Sequence, residues 1–225
     1  MRKLKIFWKI FYLSSLLFVG ISFLLVLSLR WINPPGSAFT FAYNIHHDKN
    51  AQINWVSLKD ISPWLQMSVI ASEDQRFPNH WGFDIDSIKD SLEENKARPR
   101  GASTISQQTA KNLFLWNGRN YLRKGLEVWF TLLMELTWSK ERILEVYLNV
   151  AEFGPGVYGA EMAAQNYFNI SATKLNPWQS GLMAAVLPNP KRMLVAKPSP
   201  YVQSRAYEIY TWVNKLGGKK YLENL

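Results

Sequence analysis

Between Ile10 and Leu29 the chain reads IFYLSSLLFVGISFLLVLSL, twenty consecutive residues without a charge. At about 1.5 Å of rise per residue, a helix of that length spans the roughly 30 Å hydrocarbon layer of a bilayer, so the run reads as a single transmembrane helix. Arg2, Lys3, Lys5 and Lys9 precede it and Arg30 follows. The positive-inside bias then puts Met1 in the cytoplasm and the bulk of the chain across the membrane, with Trp8 and Trp31 as interfacial brackets. The alternative is a cleaved secretory leader. Its apolar region is usually about 7–15 residues long and ends at a small-residue cleavage site, which Arg30, Trp31 and Asn33 do not supply.

Charge and cysteine content narrow the classes further. The formal net charge is +9, but the five basic residues flanking the anchor leave 21 basic against 17 acidic side chains beyond Arg30. Nothing there suggests a clustered basic face, and nucleic acid is not an expected partner. With no cysteine in 225 residues, a disulfide framework, a thiolate zinc site and a cysteine nucleophile are all excluded. That composition also suits an oxidising compartment.

After the anchor, Pro34, Pro35 and Gly36 open a stretch without a regular period. The expected organisation is a cytoplasmic tail over 1–9, an anchor over 10–29, a juxtamembrane linker over 30–56 and one domain over 57–225. Within that domain helix signals recur. Ser62 with Pro63, Asp84 before Ile85, Thr104 with Gln107, Asn176 with Pro177 and Gln179, and Ser199 with Pro200 are N-terminal signatures, while 121–137 and 139–149 are long helical stretches. Strand signals are poor, so the predicted fold class is mainly α.

Three constellations could carry chemistry. In ASEDQRFPNHWGFD, Glu73 and Asp74 fall at the C-terminal end of the helix opened by Ser62. A carboxylate there faces the negative end of the helix dipole, which disfavours its charged form and suits a general base. Phe77, His80, Trp81, Gly82 and Phe83 then shape a pocket. In RGASTISQQTAKN, Gly101 and the capped helix start offer backbone N–H groups of the kind that bind phosphate, and Gln107 and Lys111 share a helix face with Gln108 beside them. The absence of a GKS or GKT ending excludes a nucleotide P-loop. In GRNYLRKGLE, Arg123 and Lys124 stand four and three residues before Glu127, on one helix face. A carboxylate ringed by cations is a poor proton donor and a better organiser of charge. His46 and His47 cannot make a metal site alone, and Ser171 to Lys174 is a chance SxxK match without its companion motifs.

In this order, the pieces resemble the bacterial peptidoglycan glycosyltransferases of glycosyltransferase family 51, in their short membrane-anchored monofunctional form. The resemblance covers roughly residues 55–195. Its first motif is matched by Glu73, Asp74, Phe77, His80 and Gly82, and its second by Gly101 to Asn112, with Ser106 and Thr109 as mild variations. The third is matched by Arg123, Lys124 and Glu127, and the fourth by Lys140, Tyr147 and Asn149 in SKERILEVYLN.

The resemblance implies a lysozyme-like fold and polymerisation of lipid II at the outer face of the bacterial inner membrane. It also implies Glu73 as catalytic base and Glu127 as a second essential glutamate. Ser103, Thr104, Gln107, Gln108, Lys111, Asn112, Arg119, Arg123 and Lys124 become substrate-binding residues, with Lys111, Arg119 and Lys124 at the pyrophosphate. No cofactor is required, although a divalent cation, magnesium or manganese, at the pyrophosphate is left open. The implied partners are lipid II, the lipid-linked glycan chain, the membrane and other cell-wall synthesis and division proteins. The residues after LPNPKR are too few for a transpeptidase domain, so penicillin is not expected to acylate the chain. A lysozyme-like hydrolase and a non-catalytic scaffold are the rival readings. The polar stretch within 85–100 is expected as a flap over the cleft.

Overall fold

The structure, a computed structural model, describes residues 2–47, 51, 53–86, 89, 103–118 and 120–225. The expected flap and Arg119 therefore lie largely or wholly outside the described residues, as does most of the helix expected after Asp84. The apolar run forms a single helix, α1 (Arg2–Ser28), which takes in the basic tail as well and is consistent with a membrane anchor. Its stretch from Lys3 to Ser28 reaches a mean hydropathy of 2.5 and is exposed along most of its length. Its serines do not leave hydroxyls unpaired. Ser14 and Ser15 donate to the Ile10 and Phe11 carbonyls at 2.8 Å, and Ser28 to that of Leu25 at 2.8 Å. Such back-bonding removes the cost of a bare hydroxyl in lipid.

The linker is more ordered than its composition suggests. It contains α2 (Ala38–His46), opened by a capping box in which Ser37 and Thr40 bond each other's backbone N–H groups. Threonine replaces the usual Glu or Gln of that motif, and the preceding prolines and glycine mask the short helix in the sequence.

The catalytic-sized part is built from helices whose starts follow the capping signals. They are α3 (Pro63–Glu73), α4 (Ile105–Phe114), α5 (Tyr121–Thr137), α6 (Lys140–Val150), α7 (Ala160–Phe168), α8 (Pro177–Val186) and α9 (Pro200–Lys215). Asn176 and Gln179 close the predicted capping box of α8, and Ser199 caps α9. The helix α3 is buried on all sides from Leu65 to Ala71, as expected of a central helix. It packs against α8 and α9, while α4 packs against α5 and α6. The α4–α5 contact includes Phe114 stacked on Phe130 with centroids 4.5 Å apart. Tyr147, Phe77, Leu65, Ile70 and Ile143 are among the largest fully buried side chains. Each such side chain contributes about 1.5–3 kcal/mol of burial free energy. The fold is mainly α, as expected, and its arrangement is consistent with the lysozyme-like class.

Within this mainly α fold, where strand signals in the sequence are poor, β1 (Glu152–Gly154) and β2 (Val157–Tyr158) form an antiparallel hairpin pairing Glu152 with Tyr158. The turn is Pro155-Gly156 instead of Asn-Gly, and the strands are too short to alternate visibly. Packing holds them: the ring of Tyr43 on α2 meets that of Tyr158 edge-on, with centroids 6.0 Å apart. Gly156, at φ +74°, leaves room for the Tyr43 hydroxyl, which a Cβ would approach to 2.4 Å.

Candidate active site

Glu73 is the last residue of α3 and Asp74 its C-cap. The two adjacent carboxylates are used differently. Asp74 is a brace: its Oδ1 lies 2.8 Å from His80 Nε2 and its Oδ2 accepts the Ile105 N–H at 2.9 Å, fastening the end of α3 to the start of α4. Glu73 instead meets side chains from α3, α4 and α9. Its Oε2 accepts from Gln108 Nε2 at 3.0 Å, its Oε1 accepts from the Ser72 hydroxyl at 3.2 Å, and Arg205 Nη2 stands 3.8 Å from Oε1. Burial pushes the Glu73 carboxyl above its ordinary value, against the opposing pull of Gln108, Arg205, Ser72 and Lys111. The expected direction is found, with burial as its largest cause.

Gln108 is held in turn. The Tyr147 hydroxyl donates to its Oε1 at 3.1 Å, so the amide can only present its NH₂ to Glu73. A relay from α6 through α4 thereby fixes the Glu73 carboxylate on α3.

The start of α4 carries the capping box that the Thr104–Gln107 spacing predicts. Thr104 accepts the Gln107 N–H at 3.2 Å and donates to the Gly82 carbonyl at 2.6 Å, while Gln107 Oε1 accepts the Thr104 N–H at 3.1 Å. Together with the Asp74 bond to Ile105, these contacts engage the N–H groups of Thr104, Ile105 and Gln107. Thr104 and Gln107 are buried capping groups here. Ser103 offers its carbonyl to Gln108 Nε2 at 3.3 Å, and Asn112 is half-buried beside Lys111 on the same helix.

The cationic side of the cleft is organised by Glu127, which is 3% exposed. Arg123 Nη1 and Lys124 Nζ each donate to one of its oxygens at 2.6 Å, the i,i+4 and i,i+3 pairs expected from the spacing. Lys111 is close enough to both glutamates to feel each of them, which puts it between Glu73 and the cation cluster. Burial lowers its affinity for a proton most, the attraction of Glu127 and Glu73 opposes this, and Arg123 and Lys124 lower it further. A ring from the linker helix covers it, with Lys111 Nζ 5.7 Å from the centroid of Phe39.

The remaining motif residues are structural supports. Lys140 Nζ donates to the His80 carbonyl at 2.6 Å and to Glu135 at 2.8 Å, and lies 4.7 Å from the Phe77 centroid. Asn149 bonds both the N–H and C=O of Val56. Gly82 has φ +76°, and a Cβ there would come within 2.6 Å of Thr131. Two participants escaped the sequence reading. Glu135, inside an apolar run, takes bonds from Ser106 and Lys140, and only its spacing of five from Lys140 hints at this. Arg205 lies on α9, and nothing local in the sequence links it to Glu73.

A carboxyl of raised proton affinity thus stands near two half-buried cations, Lys111 and Arg123, and the exposed Lys124. The chain matches the model of the Transglycosylase family over residues 40–213. It belongs to that family. Among its relatives is the biosynthetic peptidoglycan transglycosylase of Pseudomonas syringae pv. syringae (strain B728a), 49% identical over 219 residues that cover 94% of this chain and 93% of that one. The protein of the same description from Escherichia coli O127:H6 (strain E2348/69 / EPEC) is 56% identical over 186 residues, covering 81% of this chain and 74% of its own. That from Salmonella agona (strain SL483) is 55% identical over 185 residues, again with 81% and 74% covered. In this transglycosylase the family match begins inside α2, so the linker helix belongs to the matched region.

Proposed function

We propose that this transglycosylase polymerises lipid II into β-1,4-linked glycan strands during bacterial cell-wall synthesis, with Glu73 as general base. The observation that carries the reading is a buried carboxylate of raised proton affinity, held by Gln108, next to a cation cluster built around Glu127. Glu73 takes the proton from the 4-hydroxyl of the acceptor N-acetylglucosamine. The freed oxygen attacks the anomeric carbon of the donor's terminal N-acetylmuramic acid from the side opposite the leaving group. A C1–O4 bond forms, the bond from C1 to the phosphate oxygen breaks, and undecaprenyl pyrophosphate departs with the electron pair. Pyrophosphate needs its charge neutralised more than it needs a strong acid, which suits Lys111, Arg123 and Lys124. In this reading Glu127 positions the cations and donates no proton.

Both oxygens of Glu127 are engaged, and no group of three or more His, Asp or Glu among the described residues is arranged to hold a metal ion. A divalent cation at the pyrophosphate would draw most of its oxygen ligands from the substrate and water, and the steps above use this chain's own side chains. Adding EDTA tests for it: a loss of rate restored by magnesium or manganese would mean that a cation takes part, and an unchanged rate that the side chains suffice.

The apolar helix α1 serves in this reading as a retained anchor that keeps the enzyme beside its lipid-linked substrate. Its basic tail lies on the cytoplasmic side and its catalytic domain on the outer side. The deciding experiment is incubation of the detergent-solubilised protein with labelled lipid II and gel separation of the products, beside Glu73→Gln and preformed peptidoglycan. Polymer from the unmodified chain alone is expected. Fragments released from peptidoglycan would indicate a hydrolase, and neither activity a scaffold.

A further inference from the structure

The outer end of α1 is tied to the catalytic domain by one side chain. Arg142, on α6, donates to the Leu29 carbonyl from Nε at 3.2 Å and from Nη2 at 2.9 Å, to the Ile32 carbonyl at 3.0 Å, and to Asn33 Oδ1 at 2.9 Å. These carbonyls belong to the end of the anchor helix, where the helical ladder gives out. Arg142 also bonds Glu145, whose other oxygen accepts the Leu58 N–H at 2.9 Å. Its guanidinium lies 5.4 Å from the Trp55 centroid and 6.0 Å from that of Trp138, within cation–π range of both.

Two tryptophans extend the contact down the helix. Trp138 Nε1 donates to the Val26 carbonyl at 2.8 Å, where the Arg30 N–H has turned to Leu27 instead. Trp129 Nε1 donates to Ser22 Oγ at 3.0 Å, with its ring 6.3 Å from that of Phe18. Ser22 and Val26, one turn apart, are buried on a helix that is otherwise mostly exposed. The chain then runs from the Arg142 contact through Ser37 into α2, whose Phe39 covers Lys111. Few residues separate the end of the anchor from the cation cluster.

We propose that the anchor is docked onto the catalytic domain as one rigid body, and that Arg142 is the positioning residue that fixes the cleft at one height and orientation over the bilayer. The inference rests on α1 being a membrane anchor and goes beyond the assignment of the reaction. A tethered domain would tumble above the headgroups and meet the lipid-linked pyrophosphate in many orientations. A docked one presents Lys111, Arg123 and Lys124 to it at a constant depth. Arginine suits the position because its planar fork serves several acceptors at once, which a lysine cannot do.

The absence of cysteine makes the test direct. Spin labels on Ser15→Cys and Glu208→Cys, both exposed positions, report the anchor-to-domain distance by pulsed electron resonance in lipid nanodiscs. A narrow distance distribution is expected. Arg142→Leu should broaden it and lower the initial rate of lipid II polymerisation in bilayers by at least about fivefold, since small misplacements of reacting groups are costly. Arg142→Lys should restore part of both.

Ser22→Leu is the companion variant. It lies on the anchor, cannot unfold the domain, and should broaden the distribution by displacing Trp129. A broad distribution in the unmodified chain would overturn the docking. A narrow distribution in Arg142→Leu and Ser22→Leu alike would overturn the clamp, and broadening with an unchanged rate would overturn its part in catalysis. Flotation with vesicles tests the anchor separately: protein that stays at the bottom of the gradient would remove the membrane reading and this inference together.

Discussion

At the scale of single residues, neighbouring groups of the same type do different work because their partners differ. Asp74 is spent on His80 and Ile105, while Glu73 is held by Gln108 and Ser72 with its proton affinity raised by burial. Lys111 is shifted the opposite way, chiefly by the same cause. The pH profile of kcat/KM should therefore be a bell drawn in at both sides. Its acid limb should lie above the ordinary glutamate value of 4.5 and its alkaline limb below the ordinary lysine value of 10.5. Initial rates across that range check it, and limbs at the ordinary values would remove the assignment.

A stability consequence follows with definite sign. The folded state holds the Glu73 proton more tightly than the unfolded chain does, so Glu73 costs stability as pH rises through its folded value and costs nothing below about its unfolded value of 4.5. Glu73→Gln should raise the melting temperature at neutral pH, and the gain should vanish in acid. Paired melts at neutral and acidic pH would show it.

At the scale of elements, the site depends on how helix ends are fastened. Gly82 delivers its carbonyl to Thr104 from a left-handed conformation, with no space for a Cβ against Thr131. Gly82→Ala should cost about 1–3 kcal/mol in chemical denaturation. Thr104→Val should remove the cap of α4 and cost roughly 0.5–2 kcal/mol, with a larger loss of activity because Gln108 moves with that helix.

These fastenings explain what the sequence could reveal. Capping signals at Ser62, Thr104, Asn176 and Ser199 located four helices because a cap is a local contact between residues two or three apart. The Glu127 cluster was legible for the same reason, being an i,i+3 and i,i+4 pattern. Arg205 beside Glu73, the Tyr147 relay and the filling of the α4 N-terminus by Asp74 join distant parts of the chain, and no local spacing encodes them. The helix α2 was hidden by the Pro34–Gly36 stretch, and the hairpin by strands of two and three residues.

At the scale of the whole molecule, the anchor and the domain share polar contacts as well as apolar ones. Removing residues 1–33 should lower the melting temperature of the remaining domain in the same detergent. Trp129 and Trp138 would lose Ser22 and Val26 of α1, and Arg142 would lose Leu29 just beyond it. Calorimetry of the full and shortened chains would measure the difference, and equal transitions would show that the contact adds nothing.

The Arg142 contact also bears on inhibitor discovery. With residues 1–33 cut away, the guanidinium between Trp55 and Trp138 keeps Glu145 and loses its acceptors at Leu29, Ile32 and Asn33, which leaves an aromatic-walled slot with donors to spare. Small carboxylates from a compound collection would settle there readily. Screening on a shortened, water-soluble fragment would then enrich for molecules that fit a hole made by the truncation, and those hits would have nowhere to bind in the enzyme as the bacterium carries it.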